Sequence, residues 1–174
     1  MAWYAIHVRT GREDAVCEEI RKQVALLGYN AEYELLVPKR KLQERRQGEF
    51  VEVIRTMFPG YVLAQSEDIR EFANVVTRGK GIFRFLQNEG EFQEIRLEEI
   101  SAIVYMTDEA GVIGPSEALL EGDLITVVSG PLKGCEGLIK KIDKHHRRAK
   151  VEFWLDGRRH QIDLAVIVCS SQCE

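Results

Sequence analysis

The N-terminal residues begin with a short apolar segment followed by a longer segment whose apolar positions recur every three to four residues. Trp3 to Val8 is apolar at almost every position, which predicts a strand buried on both faces. Gly11 to Leu27 predicts a helix, and Gly28 is a suitable residue for its end. The apolar stripe of this helix consists of Val16, Ile20, Val24 and Leu27.

The same analysis predicts a mixture of strands and helices up to residue 106. Ser66 is predicted as the N-cap of the second helix, and Lys39 to Gly48 is predicted as a polar arm between two strands. The other predicted elements are strands at Tyr33–Val37, Glu49–Ile54, Val62–Ala64 and Ile82–Leu86, helices at 69–76 and Leu97–Tyr105, and a turn at Gly79-Lys80-Gly81.

The order of these elements predicts the fold class and the domain organisation. Strands and helices do not alternate strictly, which favours an α+β sandwich with a mainly antiparallel four-stranded sheet over residues 1–106. Residues 107–120 carry Gly111, Gly114, Pro115 and Ser116, which predicts a linker. Residues 121–174 contain only short strands and turns, which is typical of a small all-β barrel of five strands.

One glycine-rich stretch, Ser129 to Gly137, leaves three interpretations to compare. A phosphate-binding loop needs Lys followed by Ser or Thr at the start of a helix, but Gly134 follows Lys133 and a strand pattern comes next. A metal site needs more ligands than Cys135 alone. A turn between two strands is therefore the interpretation that the flanking residues favour.

Composition excludes several classes of protein. Apolar residues make up 45% and charged residues 30% of the chain, as in ordinary globular proteins, and the net charge of −4 gives no general sign of nucleic-acid binding. No segment has the pattern of a signal peptide, and none approaches the roughly 20 apolar residues of a membrane span. The scattered cysteines fit reduced thiols in a cytoplasmic protein, with Cys169 and Cys173 in a frayed tail.

Two groups of motifs resemble those of the NusG family. The C-terminal residues resemble a KOW domain, an SH3-like barrel, through Gly122-Asp123, the turn from Gly130 to Gly137, Ile142-Asp143 and the strand Ala149 to Leu155. The N-terminal residues resemble the NusG N-terminal domain through Trp3-Tyr4, Val37-Pro38 and Phe58-Pro59-Gly60-Tyr61-Val62. The resemblance covers nearly the whole chain.

This resemblance implies a transcription elongation factor. Its N-terminal domain is expected to bind RNA polymerase, and its barrel is expected to reach a second partner, which for general NusG is the termination factor Rho or a ribosomal protein. We expect a cytoplasmic monomer without cofactor, metal or membrane contact. The chain contains no Gly-x-Ser-x-Gly, His-Glu-x-x-His or Walker motif, so nothing supports an enzyme.

The resemblance also assigns residues to the polymerase interface. Phe58 and Tyr61 flank a proline-glycine bend, which cannot lie in the middle of a strand, and aromatic residues presented at a bend make suitable interface anchors. A place in the hydrophobic core remains the alternative for each of the aromatic ones. The predicted polymerase-binding residues are Trp3, Tyr4, Phe58, Pro59, Gly60 and Tyr61.

The polar arm has five basic residues and one acidic residue, Glu44. This charge predicts contact with upstream DNA or with the polymerase, and a solvated loop is the alternative. The basic residues are Lys39, Arg40, Lys41, Arg45 and Arg46.

The predicted barrel has seven basic residues between positions 133 and 150, against Glu136 and Asp143. Trp154 and Phe153 lie nearby, and basic residues with interleaved aromatic ones can follow a phosphate backbone and stack on a base. A basic outer face without a ligand is the alternative. The predicted RNA-binding residues are Lys133, Lys140, Lys141, Lys144, His145, His146, Arg147, Arg148, Lys150, Arg158 and Arg159.

Two departures from the general NusG pattern concern this barrel. The segment from Leu155 to Gln161 reads Leu-Asp-Gly-Arg-Arg-His-Gln, whereas the family has roughly Phe-Gly-Arg followed by an uncharged Thr-Pro. At the position after Gly134 the family usually has an apolar aromatic residue, and this chain has Cys135. These departures favour a specialised paralogue of the LoaP type, an antiterminator whose barrel binds a nascent RNA hairpin. The alternative is a general elongation factor with a protein partner at the barrel.

Overall fold

The computed structural model describes residues 1–78 and 83–169. The predicted turn at Gly79-Lys80-Gly81, the predicted strand's first residue Ile82, and Cys173 lie outside these residues. The elements in chain order are β1 (Trp3–Val8), α1 (Glu13–Leu27), β2 (Tyr33–Leu36), β3 (Lys39–Arg46), β4 (Glu49–Thr56), β5 (Tyr61–Ser66), α2 (Ile69–Thr77), β6 (Phe83–Phe85), β7 (Gln87–Asn88), β8 (Glu91–Phe92), α3 (Leu97–Met106), β9 (Val112–Ile113), β10 (Ser116–Glu121), β11 (Leu124–Ser129), a 3-10 helix (Glu136–Leu138), β12 (Ile139–Asp143), β13 (Arg148–Leu155) and β14 (Arg158–Cys169).

The chain forms two compact units. The first unit contains residues 1–37 and 58–97, and the second contains residues 38–57 and 98–174. The β3–β4 hairpin therefore groups with the C-terminal residues, although it is inserted between two strands of the first unit. The domain boundaries expected at residues 106 and 121 stay predictions.

The first unit is an α+β sandwich, as predicted. Its four-stranded sheet has the order β2-β5-β1-β6, and every neighbouring pair is antiparallel. Ile6, Val62 and Phe72 are fully buried in a core that α1 and α2 share with this sheet. Transferring these apolar side chains from water is the main force that holds the sandwich together.

The first helix follows the apolar stripe that predicted it. Val16, Ile20 and Val24 are buried, whereas Leu27 in the last turn is 42% exposed. The helix ends at Gly28, whose φ of 68° lies in the left-handed region that favours glycine. The predicted helix and its end are thus confirmed, with Glu13 rather than Gly11 as the first residue.

The N-cap predicted for the second helix was wrong by two residues. Asp68 has an extended backbone and its Oδ1 accepts a hydrogen bond from the backbone N–H of Glu71 at 2.9 Å, so Asp68 is the N-cap. Ser66 ends β5 instead. Its hydroxyl accepts from the Asp68 N–H and lies 2.6 Å from the Tyr29 hydroxyl.

The predicted polar arm is a strand, which corrects the expectation of a loop. β3 pairs antiparallel with β4 from Lys39 opposite Thr56 to Arg46 opposite Glu49. Gln47 and Gly48 both have positive φ, which matches a two-residue hairpin turn. The strand was missed because β3 is almost entirely polar and shows no apolar alternation to predict it.

The C-terminal sheet has five strands in the order β11-β10-β14-β13-β12. This curled sheet is consistent with the predicted small barrel. The long β14 was not predicted, and Cys169 is its last residue rather than part of a frayed tail. β14 extends so far because it pairs antiparallel with β13 along its first eight residues and parallel with β10 from Val166 to Cys169.

The predicted linker is also partly a strand. Ser116 to Glu121 form β10, which bonds to β11 on one side and β14 on the other, with Ala118 fully buried. The glycines and proline that predicted a linker lie before this strand. Among the described residues, no helix combines the length and apolar character that crossing a membrane requires.

The glycine-rich stretch is a turn, as its flanking residues indicated. Gly130 has a φ of 94°, and a Cβ atom there would lie 2.6 Å from the Ser116 Cα. The Ser116 hydroxyl, which is buried, accepts a hydrogen bond from the backbone N–H of Leu132 at 3.0 Å. The glycine thus allows two backbone segments of the C-terminal sheet to approach closely.

Replacing this glycine tests the close approach. Gly134 also has positive φ, but a Cβ atom there would meet open space out to 4 Å, so Gly134→Ala should cost only the left-handed backbone strain of about 1–2 kcal/mol. Gly130→Ala adds the collision with Ser116 and should cost about 1–3 kcal/mol more. Urea denaturation of both variants measures this difference, and equal losses would contradict the packing assigned to Gly130.

Candidate functional site

The Phe58-Pro59-Gly60-Tyr61 segment forms a fixed bend between β4 and β5. The backbone N–H of Val8 donates to the Gly60 carbonyl at 2.8 Å. Gly60 has a φ of 89°, and a Cβ atom there would approach the Thr10 hydroxyl oxygen to 3.3 Å. The bend therefore lies against the end of β1 in a conformation that favours glycine.

A buried carboxylate, Glu13, anchors this bend to the first turn of α1. Its Oε1 accepts hydrogen bonds from the backbone N–H groups of Gly60 at 2.7 Å and Gly11 at 3.1 Å. Burial raises the pKa of Glu13, but the backbone hydrogen bonds outweigh burial, so the pKa lies below its ordinary value. Sequence analysis missed Glu13; an acidic residue in the first helical turn was the available signal.

The aromatic residues predicted to bind polymerase differ in exposure. Trp3 and Tyr4 are each 8% exposed and Phe58 is 1% exposed, so in this structure they belong to the interior. The Tyr4 hydroxyl donates to Glu94 at 3.2 Å; burial and this carboxylate raise its pKa. Tyr61 is half-buried, with its ring edge-to-face with His7 at 5.5 Å.

Pro59 is exposed beside Tyr61, whereas Gly60 is buried. The surface that this motif offers therefore consists of Pro59 and the accessible part of Tyr61. Phe58 fits the core alternative that sequence analysis left open.

The second candidate site lies on the outer side of the C-terminal sheet. Strand alternation in β13 directs Phe153 and Leu155 into the interior and leaves Trp154 46% exposed. The pairing places Arg159 of β14 opposite Trp154, and Lys141 of β12 opposite Lys150. We name this surface the basic face; it consists of Lys140, Lys141, Arg148, Lys150, Trp154 and Arg159.

Three carboxylates are interleaved with these cations. Asp163 lies 3.6 Å from Arg148 and 3.8 Å from Lys150, measured between charged atoms. Glu152 and Asp143 are the other two. Sequence analysis missed Glu152 and Asp163 because both lie beyond position 150, although β-sheet pairing brings them among the counted cations.

A cleft of about 380 Å³ opens within this surface. It is lined by Lys141, Asp143, His146, Arg148, Lys150 and Asp163. His146 donates its backbone N–H to Asp143, and its Nδ1 lies 2.7 Å from the Asp143 carboxylate. These hydrogen bonds hold the pKa of Asp143 below its ordinary value.

Arg147 was predicted to bind RNA, but its side chain contacts the β3–β4 hairpin. The guanidinium donates to the Gln43 side-chain oxygen at 2.7 Å and lies 4.1 Å from the centre of the Phe50 ring. These two contacts hold the Arg147 guanidinium against the hairpin. Arg147 therefore does not belong to the basic face.

The remaining predicted RNA-binding residues lie in loops or at strand ends. Lys133 is exposed in the turn after β11, and Lys144 and His145 are exposed in the turn between β12 and β13. Arg158 is exposed at the start of β14. The structure thus brings together about half of the predicted set.

The cations of the hairpin are largely engaged within the second unit. Arg40 donates to the Asp163 carbonyl at 2.5 Å, and burial lowers its pKa. Lys41 pairs with Glu52 at 3.3 Å, and Arg46 with Glu44 at 3.4 Å. Arg45 donates to the Gly48 carbonyl, and Lys39 is partly buried at the start of β3.

Within residues 1–78 and 83–169, no group of three or more His, Cys, Asp or Glu side chains is placed to hold a metal ion. The basic face and its interleaved carboxylates also present one exposed indole, that of Trp154. Such groups can bind phosphates, bases or peptides.

Comparisons with known proteins point to one family. A family model described as transcription termination factor NusG matches residues 1–104. The transcription termination/antitermination protein NusG of Thermus thermophilus is 28% identical to the chain, covering 93% of it and 94% of that protein. The corresponding protein of Pseudomonas aeruginosa is 27% identical and covers 93% of each chain.

One solved structure supports the same fold. A structure of domain interaction in NusG of Thermotoga maritima matches with a TM-score of 0.57 at 23% identity, over 94% of this chain and 93% of that one. At this identity the match concerns the arrangement of helices and strands.

The Glu13 anchor gives a stability prediction. Glu13→Ala leaves the buried N–H of Gly60 and the partly buried N–H of Gly11 without their acceptor, which should cost about 1–3 kcal/mol at pH 7. Because the folded pKa is lowered, this stabilisation is present above the unfolded value of about 4.3 and is lost as the pH falls through the folded value. Urea denaturation between pH 3 and 7 measures the difference between wild type and variant.

Asp14→Ala is the matched control, since Asp14 is an exposed acidic residue of the same helical turn. We expect it to cost less than Glu13→Ala at pH 7. A Glu13→Ala loss that does not shrink at acid pH would contradict the role given to the carboxylate.

Proposed function

Because the chain belongs to the NusG family of transcription termination and antitermination factors, we propose that it is a transcription elongation factor that binds RNA polymerase through residues 1–106. The observation that carries this proposal is the family match over residues 1–104. That stretch includes the Phe58–Tyr61 bend, which Glu13 holds in one conformation. Tyr61 and Pro59 are its accessible side chains and are the proposed contacts.

The C-terminal sheet is proposed to bind a structured nascent RNA and so promote processive antitermination. The basic face supports this because five cations and an exposed tryptophan lie on a surface formed by three paired strands. Lysine and arginine contact phosphates, and the indole can stack on a base. The predicted KOW domain would supply this surface.

The second candidate is a general NusG whose C-terminal sheet binds Rho or a ribosomal protein. The observation in its favour is the presence of Asp143, Glu152 and Asp163 among the cations, because carboxylates repel phosphates. A surface of mixed charge is common in protein–protein recognition. RNA binding distinguishes the two candidates.

The RNA prediction concerns a triple variant, Lys140→Ala/Lys141→Ala/Lys150→Ala, of the full chain. Titration with a hairpin from the leader of the gene's own operon, at several salt concentrations, should show weaker binding and a flatter salt dependence. The slope should fall by about 0.7 to 0.9 for each phosphate contact removed. A scrambled RNA should bind the wild type less tightly than the hairpin.

A variant with two cations removed from the first unit, Lys22→Ala/Arg78→Ala, controls for general charge. Both side chains are exposed and lie outside the C-terminal sheet. Equal RNA binding by the wild type and the triple variant would contradict the proposal that the basic face binds RNA. Retention of Rho or ribosomes by the full chain, without RNA selectivity, would favour the second candidate.

The polymerase prediction concerns Tyr61→Ala. Removing an interface anchor typically weakens binding by about tenfold or more. We expect this loss in co-purification with RNA polymerase, while Leu26→Ala, which truncates an 80% exposed side chain of α1, should bind normally. Co-purification of the Tyr61→Ala variant with RNA polymerase at the wild-type level would contradict the proposed contact. Phe58→Ala is unsuitable because truncating a buried Phe costs about 3–5 kcal/mol of stability.

A further inference from the structure

Trp154 is exposed on one of the inner strands of the C-terminal sheet. β13 pairs with β14 along its whole length, which places Trp154 opposite Arg159, and with β12 from Arg148 to Val151. The adjacent residues Phe153 and Leu155 are buried, which directs the indole outward. A tryptophan side chain that is nearly half exposed leaves part of its ring available to a ligand, and its large apolar ring with one polar N–H group suits a binding surface.

Glu152 positions two cations beside this indole. It precedes Trp154 by two residues on the same side of β13, and its side chain is only 17% exposed. Its carboxylate lies 3.9 Å from the Lys140 amino group and 3.7 Å from the Arg159 guanidinium. One cation comes from each neighbouring strand, so positive charge lies on both sides of β13 at Glu152, two residues before Trp154.

The backbone near Trp154 is fixed as well. Asp156 and Gly157 have φ values of 55° and 65° and join β13 to β14 with two residues, as in a tight type I′ hairpin. The ring therefore lies two residues before a tight turn, at a cross-strand pair with Arg159. A platform fixed before binding loses little conformational freedom when a ligand arrives.

The ligand that fits an exposed indole with two cations at a neighbouring position of the sheet is an unpaired nucleotide. In an A-form duplex the faces of the bases are covered by their stacked neighbours, so only a looped, bulged or terminal base can stack on a side chain. A long duplex also presents many phosphates, whereas this surface offers few cations and several carboxylates. The charge and shape fit one nucleotide and its flanking phosphates better.

We propose that Trp154 is the stacking platform for one unpaired base of the bound RNA, with Lys140 and Arg159 on its flanking phosphates. The inference rests on the proposed RNA-binding function and narrows its ligand to a hairpin with an accessible loop or bulge base. Glu152 is a positioning residue that keeps both cations beside the ring.

The test uses tryptophan fluorescence of the full chain during titration with the leader hairpin. The other tryptophan, Trp3, is 8% exposed, so quenching by RNA reports Trp154. Trp154→Ala should weaken binding about 5- to 150-fold, the usual range for one base–aromatic stack, and Trp154→Phe should restore most of the affinity. Leu124→Ala, which truncates a 63% exposed residue of β11, should have no effect.

A second set of titrations identifies which base of the hairpin stacks on Trp154. Each unpaired nucleotide of the hairpin is replaced in turn by an abasic one. At one position this should weaken the wild type as much as Trp154→Ala does, and it should weaken Trp154→Ala no further, because both changes remove the same contact. Additive losses at every position would overturn the stacking proposal.

The outcomes also separate this inference from the proposed function. If the triple lysine variant loses RNA binding while Trp154→Ala binds like the wild type, the stacking platform is wrong and RNA binding stands. If the wild type binds no RNA, both are wrong. If Trp154→Ala instead loses retention of Rho or a ribosomal protein, Trp154 is a protein anchor and the inference is overturned.

Discussion

The register of β13 against its two neighbours is the constraint on which the C-terminal surface depends. Trp154 faces outward and Phe153 inward because successive side chains of a strand point to opposite sides. A slip of one residue would bury the indole and expose Phe153 and Leu155, so the buried side chains specify the register. The tight turn at Asp156-Gly157 sets the same register from the other end of the hairpin.

β14 extends this constraint to the rest of the sheet. The strand pairs first with β13 and then with β10. The position of β10 in the sheet is therefore fixed relative to the hairpin of β13 and β14. Gly130 allows the close approach at Ser116, the first residue of β10. The positions of Arg159 and Asp163 relative to β13 therefore follow from backbone pairing and not from contacts of their own charged groups.

The sequence predicted elements well where burial is periodic and poorly where it is not. The apolar stripe of α1 and the apolar β1 predicted these two elements, since hydrophobic burial decides them, and the order of all the predicted elements indicated the sandwich. β3 has eight residues of which only Leu42 is apolar, so its partner β4 determines its structure rather than its own pattern. β14 was missed because the basic residues at its start hide the apolar residues that follow.

In the candidate site, too, the local sequence predicts some features, whereas others depend on residues that are distant in the chain. Counting charges along the chain predicted Lys140, Lys141 and Lys150, which the structure places on the basic face, but residues far apart in sequence decide what each cation contacts. Arg147 lies between two exposed histidines and the basic face, yet its guanidinium contacts Gln43 and Phe50. Arg40 is partly buried and donates a hydrogen bond to the Asp163 carbonyl. Neither contact leaves a signal within the local sequence.

The mixed charge of the basic face bears on how selective the proposed RNA binding would be. Phosphate contacts supply affinity that is nearly independent of sequence, and each interleaved carboxylate reduces that contribution. A surface with Glu152 and Asp163 among its cations therefore has less general affinity for polyanions, whereas the proposed stacking on Trp154 would depend on an unpaired base being present. If the basic face binds RNA in this way, the carboxylates favour discrimination over strength, since a duplex without an accessible base would meet only the weakened charge.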